Sequence, residues 1–221
     1  MTEETSREDL FLLAAKLAAR TAHELNNTSA ILSGHLYLLR ASPDSHEESY
    51  EAMEKALAQI QRLSRGLARL GLLGEGEVGP VDWNEAARSA SDALGAPVTL
   101  DLAGGLPRTV GREGDACAAL KALLENALEA SLPRGEIVLR TRSLPDGAGV
   151  LLAVEDSGKG ISPEARERAF DPLFSTKGER GRGTGLVLAA AVAAVMGGSC
   201  QVEPRPEGGT RVTLRLPRDS P

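Results

Sequence analysis

Apolar residues in the first third of the chain recur at spacings of three, four or seven positions. The two series are Phe11, Ala14, Ala18, Ala22, Leu25, Leu32, Leu36 and Leu39, followed by Met53, Ala56, Ile60, Leu63, Leu67 and Leu70. Such spacings place apolar side chains on one face of a helix, as in a coiled coil or a helix bundle. Residues 41–45 between the series are breaker and capping residues. The pattern therefore predicts a helical hairpin over residues 1–73.

A hairpin of two helices leaves part of each apolar face in water. Two hairpins that pair into a four-helix bundle cover these faces. We therefore expect residues 1–73 to form the dimerisation domain of a homodimer.

Glycine and proline are concentrated in the rest of the chain, since only three of the 24 glycines and one of the 12 prolines precede residue 74. The glycine-rich segment 74–80 is typical of a linker, and its seven residues reach at most about 23 Å. We interpret it as a hinge to a second domain over residues 81–221.

Helix and strand signals follow one another in this second domain. Helices are predicted from the capping box at Asp82–Glu85 to Leu94, over Asp115–Ser131, and from Thr184 to the stop signal at 197–198. Predicted strands cover Val98–Leu102, Ile137–Arg142, Val150–Glu155, Cys200–Glu203 and Thr210–Leu216. This order predicts an α+β fold, with helices on one face of a sheet.

Composition excludes several classes of protein. With 42% apolar residues the chain can build a core, and its net charge of −6 argues against a nucleic-acid binder. Cys117 and Cys200 lack the spacing of a disulfide framework or a zinc site. The longest apolar run, Leu186–Met196, has eleven residues, fewer than the roughly 20 that span a bilayer. We expect a cytoplasmic protein without membrane insertion.

His23 is the most informative of the three histidines. It lies two positions from the apolar Leu25, about 200° around the helix, and therefore faces outward. Most surface histidines have no function, but Glu24 is close enough to orient an imidazole or accept its proton. Asn27, one turn further on, could hold a water beside the same spot.

Asn126 interrupts a helix that is otherwise apolar on one face. A carboxamide oxygen suits Mg²⁺, which usually shares phosphate oxygens. The plainer alternative is a surface asparagine beside Glu125 and Glu129, and the sequence leaves both open.

Asp156 follows a predicted strand and precedes Gly158 and Gly160. Glycines there let the backbone approach a flat ligand, and the carboxylate can accept a hydrogen bond from an exocyclic amine such as that of adenine. The pattern also occurs in ordinary turns. Further on, Phe170–Lys177 holds two of the three phenylalanines, which is typical of a hydrophobic anchor for a loop.

A glycine-rich segment leads directly into the last predicted helix, with Gly181, Gly183, Thr184, Gly185 and Leu186. Exposed amides and the positive end of a helix favour an anion, and a triphosphate is the natural ligand. The segment lacks the lysine of a Walker loop, and it does not follow a strand as a Rossmann turn does.

Together these segments resemble, in order and spacing, the boxes of sensor histidine kinases, over nearly the whole chain. The matching boxes are the phosphoacceptor box (His23–Asn27), the N box (Asn126), the first glycine box (Asp156, Gly158, Gly160), the F box (Phe170–Lys177) and the second glycine box (Gly181, Gly183, Gly185). The resemblance implies a phosphoacceptor hairpin that forms a dimeric four-helix bundle. It also implies an α/β-sandwich ATP-binding domain of the Bergerat (GHKL) type.

The resemblance further implies roles for individual residues. ATP would bind with adenine on Asp156, Mg²⁺ near Asn126 and phosphates against residues 181–185, with Lys177, Thr184 and Leu186 completing the site. His23 would attack the γ-phosphate with Glu24 as acid/base partner and pass the phosphoryl group to an aspartate of a response regulator. Asn27 resembles the element that positions water for a phosphatase reaction.

The chain departs from the family pattern at three positions. Val187 stands where a further glycine is usual, Ala122 where an asparagine is common, and Thr28 where a proline or leucine is usual. The first two are expected to lower the catalytic rate rather than nucleotide binding. Because no sensor segment is recognisable, we expect the signal to arrive through a partner, such as a separate sensor protein, or through the few residues before the first helix.

Three alternatives remain at this level. The first is a phosphotransfer or scaffold protein with weak or no kinase activity. A gyrase- or chaperone-like ATPase would need a glutamate at the position of Ala122, and an anti-sigma serine kinase would lack the helical hairpin.

Overall fold

The computed structural model describes residues 21–39, 46–71, 73–131, 135–171 and 184–219. The predicted turn at 41–45, the apolar positions before residue 21 and residues 172–183 lie outside the described residues.

Six helices are described. They are α1 (residues 21–39), α2 (His46–Gly71), α3 (Trp83–Leu94), α4 (Glu113–Ser131), α5 (Pro163–Glu167) and α6 (Gly185–Val195). The carboxylate of Asp82 caps α3 by accepting bonds from the amides of Asn84 and Glu85, at 2.9 and 3.0 Å. The predicted start of this helix is therefore confirmed. Among the described residues, no helix is both long and apolar enough to cross a bilayer.

Seven strands form two sheets. They are β1 (Gly79–Val81), β2 (Thr99–Leu102), β3 (Thr109–Gly111), β4 (Ile137–Ser143), β5 (Gly149–Asp156), β6 (Ser199–Pro204) and β7 (Thr210–Pro217). The main sheet has the order β2-β4-β5-β7-β6, in which only the β2–β4 pair is parallel. The five strands predicted from the sequence are those of this sheet, whereas the small β1–β3 sheet was not predicted.

The apolar face predicted for α1 is covered only in part within the single chain. Its least exposed positions include Thr21 and Thr28, and His35 lies next to α2, with its Nδ1 3.3 Å from Ser49 Oγ. Leu25 and Leu36, which belong to the predicted face, are 38% and 48% exposed. The reason is that α1 carries apolar residues on adjacent faces, and one chain buries only part of them.

The core of the second domain lies between one face of the main sheet and helices α3, α4 and α6. Trp83, Leu120, Leu152 and Leu214 are all at most 1% exposed. The alternation of β7 leaves its arginines on the opposite face, so helices cover only one side, as predicted. The indole nitrogen of Trp83 donates to Thr109 Oγ1 at 2.8 Å, which ties α3 to the small sheet.

The segment predicted as a hinge is bonded to the second domain along part of its length. The amide of Gly74 donates to the carboxylate oxygens of Asp115 at 3.1 and 3.3 Å. Arg112 Nε donates to the carbonyl of Gly76 at 3.1 Å, and β1 begins at Gly79. These contacts restrict movement within the linker.

Candidate active site

His23 is exposed on α1 as predicted, although Leu25, from which its outward direction was inferred, is exposed as well. The side-chain amide of Asn27 donates to His23 Nε2 at 3.1 Å, one turn along the same helix. Asn27 therefore lies close enough to contact a group bound to the exposed imidazole.

The residue after the phosphoacceptor box is turned inward. Thr28 is 3% exposed and its hydroxyl donates to the main-chain carbonyl of Glu24 at 2.7 Å. Thr28 therefore helps to bury one side of α1 while His23, Glu24 and Asn27 stay within one turn of each other.

Asn126 on α4 lies directly against the first residue of α6. A Cβ built on Gly185 would be 2.5 Å from Asn126 Nδ2, closer than atoms can approach. Only glycine leaves the amide in place. The structure therefore brings the N box and the second glycine box together.

The N-terminus of α6 provides an anion-binding geometry. Thr184 is the N-cap, and its carbonyl accepts the first helical bond from Leu188 at 2.9 Å. Amides of the first turn have no acceptor within a helix and lie at its positive end. Asn126 lies beside this end, so a phosphate bound there would be within reach of its amide.

Asp156 ends β5 and its side chain is buried. Its Oδ1 accepts bonds from the amide of Gly158 at 2.9 Å and of Thr210 at 3.3 Å. A Cβ built on Gly158 would be 2.3 Å from the carbonyl oxygen of Ala130, so this glycine box packs on the end of α4. Gly160 has φ +75°, which favours glycine.

Two further residues contact Asp156 and were missed from the sequence. A Cβ built on Gly209, which has φ +87°, would be 1.9 Å from the main-chain oxygen of Asp156. Arg205 Nη1 donates to the same oxygen at 2.9 Å. Adjacent glycines at 208–209 were a usable signal, although they are common in hairpin turns. Arg205 had no sequence signal.

The predicted residues thus form two groups. One lies on α1, with His23, Glu24 and Asn27, and the other surrounds the start of α6, with Asn126 and Gly185. Leu186 is partly buried against the core, whereas Lys177, Gly181 and Gly183 lie outside the described residues. All three departures from the family pattern are buried, Ala122 and Thr28 at 3% exposure and Val187 at 1%.

The site at the start of α6 suits Mg²⁺, which needs few protein ligands, better than a metal whose ligands all come from the protein. In the ranges that the structure describes, no group of three His, Cys, Asp or Glu side chains could hold a metal. Asn126 offers one amide oxygen beside an anion-binding helix end. Mg²⁺ is commonly bound in this way, by few protein oxygens, phosphate oxygens and waters.

The cysteines take no part in this chemistry. Burial raises the pKa of the Cys200 thiol to about 12 and also raises that of Cys117. Both thiols are protonated near neutral pH and are therefore poor nucleophiles.

Comparison with known proteins identifies the family. Residues 111–220 match the family described as "Histidine kinase-, DNA gyrase B-, and HSP90-like ATPase". The sensor-type histidine kinase PrrB of Mycobacterium tuberculosis (strain H37Rv) is 27% identical over 237 residues, covering 99% of this chain and 51% of PrrB. The chain belongs to the sensor histidine kinases. SenX3, a sensor-like histidine kinase of M. tuberculosis (strain CDC 1551), is 30% identical over 218 residues, covering 90% of this chain and 52% of SenX3.

Solved histidine kinase structures share the fold. The ATP-binding domain of PrrB from M. tuberculosis superimposes with a TM-score of 0.51 at 29% identity, covering 66% of this chain and all of that one. Histidine kinase ThkA, in complex with response regulator protein TrrA, superimposes with a TM-score of 0.64 at 21% identity, covering 98% of this chain and 65% of ThkA. Residues 111–220 therefore belong to an ATP-binding domain of this family. The chain spans about half the length of the PrrB and SenX3 kinases that it matches.

Proposed function

We propose that this chain is an ATP-dependent histidine autokinase that phosphorylates His23 and passes the phosphoryl group to an aspartate of a response regulator. The observation that carries the proposal is the contact between Asn126 and Gly185, because it joins a metal-binding amide to a phosphate-binding helix end. The exposed Nε2 of His23 supplies the acceptor.

In the proposed complex, the exocyclic amine of adenine donates to the buried carboxylate of Asp156. The phosphates lie against the first turn of α6, where the helix dipole offsets their charge. Lys177, Gly181 and Gly183 complete the site from the preceding loop. Asn126 would hold Mg²⁺, which when bound would neutralise charge on the phosphates, its usual contribution to phosphoryl transfer.

The first transfer forms a bond between His23 Nε2 and the γ-phosphorus while the bond from phosphorus to the ADP oxygen breaks. The Nε2 lone pair attacks, and Glu24 takes the proton released from the other ring nitrogen. Asn27 must first release its hydrogen bond to Nε2. In the second transfer, the N–P bond breaks as a carboxylate oxygen of the regulator bonds to phosphorus.

The helical hairpin is proposed to dimerise and to dock the regulator. Large apolar side chains remain exposed on both of its helices, including Leu25, Leu36 and Leu57. A second hairpin that covers them would complete a four-helix bundle. The complex of ThkA with TrrA, a relative of the same fold bound to a response regulator, supports a receiver domain as partner.

One further activity is expected from the family assignment. Asn27 lies close enough to His23 to position a water for hydrolysis of the regulator's aspartyl phosphate. We therefore propose a phosphatase activity toward the regulator. We also propose a cytoplasmic location.

The test is incubation of the purified chain with γ-labelled ATP and Mg²⁺, followed by addition of receiver domains. We expect an acid-labile, base-stable label that moves to a receiver domain. His23→Ala should remove the label, whereas His46→Ala, which changes an exposed histidine on α2, should keep it. A chain that binds ATP but takes no label would instead be the phosphotransfer or scaffold protein.

A further inference from the structure

Arg205 is an unusually enclosed arginine at the start of the β6–β7 turn. Its side chain is 15% exposed, and its Nη2 donates to the carboxylate of Glu207 at 2.7 Å. Nη1 donates to the main-chain oxygen of Asp156 at 2.9 Å. The guanidinium therefore connects the turn to the end of β5.

This arrangement has a cost in stability. The Nε of Arg205 is buried without a hydrogen-bond partner, and an unsatisfied buried donor is unfavourable. A surface ion pair with Glu207 alone would not require burial. The hydrogen bond to the main-chain oxygen of Asp156 explains why the side chain of Arg205 is enclosed.

The same turn holds Asp156 from two other directions. Gly209 packs on the main-chain oxygen of Asp156, and the amide of Thr210 donates to its Oδ1 at 3.3 Å. Arg205 and Gly209 thus fix the main chain of Asp156, while Thr210 contacts its carboxylate. A carboxylate that is fixed before the ligand arrives loses less conformational freedom on binding.

We propose that Arg205 is a positioning residue that sets the preference of the nucleotide site for adenine by fixing Asp156. The inference rests on the proposed function, in which Asp156 accepts the exocyclic amine of adenine. Arg205 itself does not touch the base. Its loss should therefore weaken recognition of the amine and leave binding of the phosphates unchanged.

The experiment compares the affinities of ATP and inosine triphosphate by calorimetry. Inosine carries a carbonyl where adenine carries the amine and a protonated N1 where adenine has an acceptor, so the ratio of the two affinities reports recognition of this edge of the base. Measurements in the His23→Gln background prevent consumption of the nucleotide. We expect Arg205→Ala to lower ATP affinity about tenfold with little change for inosine triphosphate. Arg205→Lys, which keeps a donor, should recover part of the preference, and exposed Arg218→Ala should retain it fully.

An equal loss for both nucleotides, or no loss, in a folded Arg205→Ala chain would overturn this inference alone. If Arg205→Ala fails to fold, Glu207→Ala replaces it, because Glu207 holds the guanidinium in place. A smaller loss of the preference in that variant supports the inference, and an unchanged ratio overturns it. A wild-type chain that binds neither nucleotide, or a preference for ATP that survives in Asp156→Asn, would overturn the underlying adenine assignment as well.

Discussion

Several close approaches in the nucleotide site are ones that only glycine permits. Gly185 lies against the side chain of Asn126, Gly158 against the carbonyl of Ala130, and Gly209 against that of Asp156. At the last two positions the obstacle is main chain, so a larger residue would displace the backbone. At Gly185 the obstacle is the movable end of a side chain. Substitution there tests the site without disrupting the fold.

Gly185→Ala is expected to lower the affinity for Mg²⁺ and ATP about tenfold, because the new methyl group moves the Asn126 amide away from the start of α6. Thermal stability should change little. Calorimetric titration measures the affinity, and Gly114→Ala, where the methyl group meets no atom within 4 Å, is the matched control. An unchanged affinity in Gly185→Ala would contradict the proposed role of Asn126.

At the scale of elements, the main sheet carries a buried charge on its open face. Glu155 on β5 is 4% exposed. Its carboxylate accepts from Arg211 Nε at 2.8 Å and from Arg140 Nε at 3.4 Å. Two flanking strands thus supply the donors that a buried carboxylate requires.

Arg211→Met should destabilise the second domain by about 1–2 kcal/mol, since the buried carboxylate loses its nearest donor. The free energy of unfolding in urea can be followed by the fluorescence of Trp83, the only tryptophan and a buried one. Arg215→Met changes an exposed arginine on the same strand and should cost less than about 0.5 kcal/mol. Equal effects of the two substitutions would show that Glu155 does not depend on Arg211.

Helices and strands whose apolar residues recur at a regular spacing were predictable from the sequence. Elements held by contacts with residues far away in the sequence were not. In β7 the residues Val212, Leu214 and Leu216 alternate with polar ones, and the structure buries them as the pattern predicts. Strands β1 and β3 have three residues each, too few for a period, and their pairing is tied to the rest by Trp83. A strand of that length has no sequence signal of its own.

The candidate site shows the same division. Asn126, Asp156 and the start of α6 lie in recognisable local patterns, and the structure places the helix end beside Asn126. Arg205 and Asp156 are 49 positions apart in the sequence, and a contact at that separation leaves no local sequence pattern. On α1, periodicity found apolar residues but could not decide which face α2 covers.

At the scale of the whole molecule, the two groups of site residues must meet for phosphoryl transfer. The linker is tied to the second domain at Gly74 by Asp115 and at Gly76 by Arg112. A movement that brings the nucleotide to His23 must therefore turn about the chain between Gly71 and Gly74, or break these hydrogen bonds.

The proposed dimerisation of the hairpin can be tested with a single substitution. Leu36→Glu, at a side chain that is 48% exposed on α1, should weaken dimerisation tenfold or more, by about 1.4 kcal/mol or above, since it places a charge in an apolar interface. Sedimentation equilibrium measures the dissociation constant. Val195→Glu, at an exposed valine on α6, should leave it unchanged. A wild-type chain that stays monomeric at all concentrations would contradict the proposed bundle.

The most direct measurement is the position of the phosphate after reaction with Mg²⁺ and ATP. Peptide mapping by mass spectrometry, at a pH that preserves phosphohistidine, identifies the modified residue. We predict phosphate on the peptide that contains His23 and none in Asn126→Ala, which lacks the metal-binding amide. Phosphate on any other residue, or its persistence on His23 in that variant, would contradict the link between the nucleotide site and the exposed imidazole.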